Sequence, residues 1–345
     1  MTTTTSAIEV SGLRKAYGGH EVLAGLDLTV PAGTVYALLG SNGAGKTTTV
    51  RILTTLLPPG AGEARIAGYD IRRDADRVRA SIGVTGQFSA VDGVLTGREN
   101  LRLMADLARL GRAPARALAD RLLERFGLTG AADRRAGTYS GGMRRRLDLA
   151  MTLVPGPGLV FLDEPTTGLD PRSRRELWDV VRELVADGGT VFLTTQYLEE
   201  ADRLADRIGV LDGGVLVAEG TPAELKGLVP GGRVELTAAD AGRAAELARR
   251  RPGAVTDPAA LTVTLPYDGG VGELRRLLDG LDDDAVTGLA VRTPDLDDVF
   301  LALTGDTVRT AGTPGRTAAG TPGRAVTGAA HRSAGDTAST GEVSG

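Results

Sequence analysis

Residues 36–48 constrain what this chain folds into more than any other stretch. An apolar run, Val35 to Leu39, reads as a strand and leads into a loop that fits G-x-x-x-x-G-K-[ST]. Gly40, Gly45, Lys46 and Thr47 occupy its fixed places, with Ser41, Asn42, Gly43 and Ala44 between them and Thr48 after them. Glycines let successive backbone N–H groups turn toward an anion without a Cβ in the way. Thr47 to Leu57 reads as a helix whose positive N-terminal end points at the same anion. Lys46 then reaches the β- and γ-phosphates of a nucleotide, and the Thr47 hydroxyl ligates Mg²⁺. The chain has 49 glycines, so a chance glycine loop is a real alternative and the remaining residues must decide.

At 345 residues the chain is long for one domain, and two domains are the expectation. Hydrophobic residues make up 41% and aromatics only 3%, which predicts aliphatic cores. The absence of Cys excludes disulfides, thiolate metal sites and thiol catalysis. Lysine occurs only at Lys15, Lys46 and Lys226, so a lysine in the loop is not filler. A net charge of −4 argues against a nucleic-acid-coating surface, and no nucleic acid partner is expected. Residues 1–6 lack the order of a signal peptide, and no segment reaches the ~20 apolar residues of a membrane span. A soluble, cytoplasmic protein follows, with any membrane role exercised through a partner.

The fold class expected is α/β. Ile8 to Lys15 and Glu21 to Val30 read as strands around a Gly18-Gly19 turn, Glu63 to Ile71 as a strand pair, and Arg79 to Thr85 as a strand ending at Gln87. Leu101, Met104, Leu107 and then Leu118, Leu122 and Phe126 recur at helical spacing. Residues 92–154 therefore read as an inserted helical subdomain. Gly158 to Leu162 is a continuous apolar run and Thr190 to Thr195 a second strand, both of the buried, parallel kind, with an amphipathic helix between them at 174–186. A mostly parallel sheet with its ligand at the carboxyl edge follows. From Arg233 the pattern changes to βαββαβ, an α+β accessory domain of ferredoxin-like type. The expected domains are 7–228 and 232–304. Residues 306–345 repeat Ala-Gly-Thr-Pro-Gly-Arg, hold few large apolar residues and are expected to be disordered.

Triphosphate hydrolysis also needs a metal ligand and a group to activate water. The strand ending Leu162-Asp163-Glu164 offers both: Asp163 to hold Mg²⁺ opposite Thr47, and Glu164 to accept the proton of the attacking water. By themselves these two carboxylates are as readily a turn that caps the next helix. Together with the glycine loop they point to a nucleoside triphosphatase.

With these residues in their order, the stretch from 8 to 220 resembles the nucleotide-binding subunit of an ATP-binding cassette (ABC) transporter. The resemblance implies a P-loop fold, ATP and Mg²⁺ as cofactors, and further site residues. Tyr17 matches the aromatic that stacks on adenine. Gln87 matches the glutamine that senses the γ-phosphate, joins the metal shell and faces the membrane partner. Tyr139-Ser140-Gly141-Gly142-Met143 resembles the family signature Leu-Ser-Gly-Gly-Gln, with its first and last residues changed. In the family, the residues matching Ser140, Gly141 and Gly142 contact a nucleotide held by a second subunit. The resemblance therefore implies a homodimer with ATP sandwiched between copies, and Gly168-Leu169-Asp170 matches the loop that crosses its interface.

One position departs from the family. Where a His usually ends the strand Val191–Thr195, this chain has Gln196, and its only histidines are His20 and His331. An amide donates a hydrogen bond but carries no proton or charge, so Gln196 is expected to position phosphate and Glu164 to act as base. Residues 194–202, 86–100 and 294–300 resemble the daunorubicin-resistance group. That implies export of a hydrophobic, drug-like molecule through a separate permease, with the chain on the cytoplasmic face of the membrane. The alternative is a soluble ABC ATPase acting on ribosomes or DNA. Such proteins usually carry two cassettes or a long coiled coil, and this chain has one cassette and no sustained heptads.

Overall fold

Gly18 and Gly19, both at positive φ (54° and 86°), make the two-residue turn that opens the architecture. They join β1 (Ser6–Tyr17) to β2 (His20–Pro31), so that Tyr17 pairs with His20. The left-handed backbone that such a turn needs is open to glycine without steric cost. The computed structural model describes residues 5–86, 89–229, 231–267, 270–281 and 284–310. On its other side β1 pairs with β4 (Ala61–Ile66), which pairs with β5 (Tyr69–Asp70), giving an antiparallel sheet β2-β1-β4-β5.

A second sheet forms from β3 (Val35–Leu39), β6 (Ile82–Thr85), β7 (Leu159–Asp163), β8 (Thr190–Thr195), β9 (Arg207–Asp212) and β10 (Val215–Gly220). Its order is β10-β9-β3-β8-β7-β6, and every pair is parallel except β9 with β10. Every residue of β3, β7 and β8 is buried, as expected of central strands of a parallel sheet covered on both faces. Between the sheets lies a core that includes Leu13, Leu26, Leu38, Ile52 and Phe161. Phe192 stacks on Tyr36 at 5.6 Å and tilts against Phe161 at 5.4 Å, so three of the chain's few aromatics meet there.

The first helix, α1 (Lys46–Leu53), stops earlier than its expected end at Leu57, because Thr55 is at φ 63° and Pro58 follows. The expected strand at Arg79–Thr85 is corrected too. Its first half is the end of α2 (Ala75–Ser81), in which Val78 alone is buried, and only Ile82–Thr85 pairs with β7. Charged residues at 76, 77 and 79 leave that half solvated. The helical layer comprises α3 (Gly97–Leu107), α4 (Arg112–Arg125) and α5 (Gly141–Thr152). Thr96 and Glu99 form a reciprocal capping box on α3. Beyond β7, α6 (Pro171–Ala186) and α7 (Leu198–Leu204) flank β8. These helices and the other face of the parallel sheet share one large core.

After α8 (Pro222–Lys226) come β11 (Gly232–Ala238), α9 (Ala241–Arg249), β12 (Val255–Asp257), β13 (Thr262–Tyr267), α10 (Val271–Asp279) and β14 (Val286–Arg292). The strands form an antiparallel sheet β12-β13-β11-β14 with its own core around Val234, Leu236, Leu247, Val263 and Leu277. The last helix, α11 (Leu296–Thr310), leaves that core: Leu296 and Val299 are buried in the large one, with Phe300 and Leu303 packed against it. It also runs past its expected end at Leu303. Disorder was expected over 306–345; residues 306–310 instead continue α11, and residues 311–345 lie outside the described residues.

Phe192 is fully buried beneath the nucleotide edge of the sheet. Phe192→Ala is expected to cost about 3–5 kcal/mol, measured as the shift of a urea unfolding curve against the native chain; a cost below ~1 kcal/mol would show that the aromatic trio is dispensable.

Candidate nucleotide site

Strand register brings the expected site residues to one edge. Leu39 on β3 lies beside Thr195 on β8, and Thr194 beside Asp163 on β7. The glycine loop, Gln196 and the Asp163-Glu164 pair therefore leave the sheet at one level, the carboxyl edge where open α/β sheets bind ligands. Gly40 N–H donates to Thr195 O (3.3 Å), tying the loop to that strand. A Cβ on Gly40 would lie 2.5 Å from Leu211 O, and one on Gly45, at φ 110°, 2.8 Å from Leu23 Cδ2. Packing as well as phosphate access thus requires both glycines.

Lys46, 4% exposed, donates from Nζ to Gly40 O (2.8 Å) and Ser41 O (3.0 Å) and lies 3.6 Å from Glu164 Oε1. Burial pushes its pKa down, and Glu164 and Asp163 oppose that push. The ammonium is held inside the curl of its own loop, beside the amides of the first turn of α1, which have no carbonyl beneath them.

Asp163, itself buried, accepts through Oδ1 from Thr194 Oγ1 (2.6 Å) and Thr47 Oγ1 (3.3 Å). A threonine hydroxyl beside a carboxylate is a pair of hard oxygen donors, which fits a Mg²⁺ that keeps water and phosphate oxygens as its other ligands. Glu164 has φ 48°, a costly backbone conformation for a residue with a Cβ. Its N–H donates to Thr194 O and Oγ1 (3.1 Å each), and its Oε2 accepts from Thr167 Oγ1 (3.4 Å). Thr194 therefore orients both carboxylate residues. The sequence reading missed it, because in the run Thr194-Thr195 it looks like an ordinary strand residue.

The other expected residues sit around this centre. Tyr17, 45% exposed, ends β1 with Lys15 Nζ 5.6 Å from its ring centroid, so much of the ring is open to a stacking partner. Gln196 is half-buried just after β8. Gln87 lies outside the described residues. Ser140 caps α5, accepting from Met143 N–H (3.2 Å), and both Ser140 and Gly141 are exposed. Gly142 is buried against α6, where a Cβ would come 2.3 Å from Ser173 Oγ. Among the described residues no hydrogen bond joins Ser140 to Gly142 with the glycine loop of the same chain. Tyr139, which replaces the usual leucine, seats this turn by donating from its hydroxyl to Ala131 O (2.7 Å).

On α7, Glu200 is buried and accepts from Trp178 Nε1 on α6 (3.1 Å). Burial pushes its carboxyl pKa up.

A site that strips a lysine of water and sets it between glycine amides and two carboxylates serves phosphate chemistry. On this sheet topology it defines a P-loop nucleoside triphosphatase. Residues 23–167 match the family described as ABC transporter. Over 322 residues the chain is 50% identical to a daunorubicin resistance ATP-binding protein of Streptomyces coeruleorubidus, covering 91% of this chain and 99% of the relative. It is 40% identical over 302 residues to the Nod factor export ATP-binding protein I of Rhizobium meliloti, covering 87% and 89%. Among solved structures, the ATP-binding subunit of an ABC transporter superposes with a TM-score of 0.58 at 29% identity, over 64% of this chain and 92% of that one. The chain belongs to the ATP-binding proteins of ABC transporters, in the group of the daunorubicin resistance proteins, and it is an ATPase. No helix among its described residues is long and apolar enough to cross a membrane.

The raised pKa of Glu200 has a pH signature. As pH rises above the ordinary Glu value of about 4.3, the unfolded chain loses this proton before the folded chain does, so stability falls across that window and stays lower above it. Glu200→Gln keeps an acceptor for the indole and removes the penalty. The variant is expected to match the native chain near pH 4 and to gain on it toward pH 7, read from urea unfolding followed by Trp178 fluorescence. An advantage that is independent of pH would contradict this.

Proposed function

We propose that the chain powers export of a hydrophobic, drug-like molecule through a separate membrane permease, at the cytoplasmic face of the membrane. Two copies sandwich two ATP molecules, each with Mg²⁺ held by Thr47, Asp163 and Gln87. Tyr17 stacks on adenine, the amides from Gly40 to Thr48 cradle the phosphates, and Lys46 neutralises their charge. Glu164 takes the proton of the attacking water while Gln196 donates to a γ-phosphate oxygen. Residues 7–228 form the ATPase domain, and residues 232–304 an accessory domain of ferredoxin-like type.

The observation that carries the dimeric reading is the division of the site. The lysine, threonine and carboxylates converge on one glycine loop, whereas Ser140 and Gly141 are exposed at the start of a twelve-residue helix, without a bond to that loop. A helix start of this kind is an anion site, and a second copy's γ-phosphate is the anion that suits it. The drug-like cargo is supported by the names of the relatives, several of which are daunorubicin or doxorubicin resistance proteins.

Glu164→Gln is expected to bind ATP, accumulate as a dimer in light scattering, and hydrolyse on the order of 10²–10⁴ times more slowly. Lys46→Ala should lose ATP binding and dimer formation, and with them daunorubicin efflux from vesicles that carry the permease. Efflux at the native rate by Lys46→Ala would refute the reading. Gln196→Ala should slow hydrolysis; an unchanged rate would reduce Gln196 to a strand-end residue.

A further inference from the structure

Arg145 lies on α5, five residues after Ser140, roughly 7.5 Å along the helix. Its guanidinium is mostly buried and is spent on backbone. Nε donates to Pro165 O (2.9 Å), Nη2 to Asp163 O (3.3 Å) and Nη1 to Gly86 O (2.8 Å). Asp163 and Pro165 are the two neighbours of Glu164, so one side chain grips the chain on both sides of that residue. Glu164 is also the residue held at φ 48°, a conformation that persists only where the surroundings enforce it.

The charge is balanced from the same helix. Asp148 Oδ2 is 3.4 Å from Arg145 Nη1, and Asp148 Oδ1 accepts from Ala90 N–H (3.0 Å). Burial pushes the pKa of Arg145 down and that of Asp148 up, so both charges are held against desolvation. Replacing such a pair by apolar groups is often neutral or stabilising, so stability alone gives little reason to keep it. The geometry of the planar fork does: it satisfies carbonyls from two strand ends at once, which a lysine's single nitrogen cannot match.

We propose that Arg145 is a positioning residue that holds Glu164 in its working conformation and ties it to the start of α5. The inference rests on the reading above, in which Glu164 is the base of one nucleotide site and Ser140 to Gly142 complete the site of the other copy. On that reading the helix bearing the contact to one ATP is fastened, through a single guanidinium, to the residue that hydrolyses the second. Displacement of α5 in one site is then felt at Glu164 in the other.

The test compares ATP hydrolysis and ATP affinity in the full-length chain carrying Arg145→Lys or the double change Arg145→Gln with Asp148→Asn. The double change strands no buried charge and guards against a variant that fails to fold. In both, kcat is expected to fall on the order of 10- to 100-fold, the cost of a misplaced catalytic group, while the Kd for ATP stays within about threefold, roughly half of the 1.4 kcal/mol that a tenfold change represents. Native kcat in either variant would overturn the proposal, as would a fall in kcat matched by an equal loss of ATP affinity, which is what a merely structural role predicts. Glu164→Gln run in parallel separates the two claims: if that variant still hydrolyses ATP, the assignment of the base has failed rather than the role of Arg145.

Discussion

The desolvated ammonium of Lys46 is the interaction on which the rest of the structure depends. A buried cation without partners is prohibitively costly. The chain meets this by curling Gly40 and Ser41 carbonyls onto it and setting Glu164 3.6 Å away. Each of those partners has its own support. Gly40 is stitched to β8, Glu164 is oriented by Thr194, and the loop packs on Leu23 and Leu211 through positions where only glycine fits. The two sheets are thus braced around one charge, whose N–H donors are held by the loop's own carbonyls and by Glu164.

How much of this was legible in the sequence varied with the kind of information. β3 and β8 came out at their expected ends, because a fully buried strand is built of apolar and β-branched residues without charge. The order of elements from β11 to β14 was readable from alternation and spacing. Arg79 to Ser81 was not, since apolar and charged residues alternate there in a way that suits a strand and a solvated helix equally. The motif residues of the site were legible because phosphate chemistry demands those residue types at that spacing. Thr194 and Arg145 were not. A threonine in a strand and one arginine in the run 144–146 carry no local mark; only the register of β7 against β8 and the packing of α5 set them apart.

Gln196 illustrates the difference between placement and chemistry. The strand delivers it to the same edge as Asp163 and Glu164, as the family pattern leads one to expect, but the side chain delivered cannot exchange a proton. With no imidazole at this edge, the proposed role of base rests on Glu164, and its geometry matters correspondingly more. That weight falls on Thr194 below it and on the backbone carbonyls to either side.

The route of α11 has a consequence for how the protein is made. Leu296 and Val299 belong to the large core that Val35, Leu39 and Leu162 help to build, so that core is complete only once the ribosome has passed those late codons. A nascent chain that already holds its glycine loop, its signature turn and both carboxylates still has an open seam where the last helix belongs. Domains emerging from the ribosome generally fold as units, N-terminal first. Here the last helix completes the core of the first unit, and a product truncated before Leu296 exposes the apolar surface this helix covers, a ready mark for quality control.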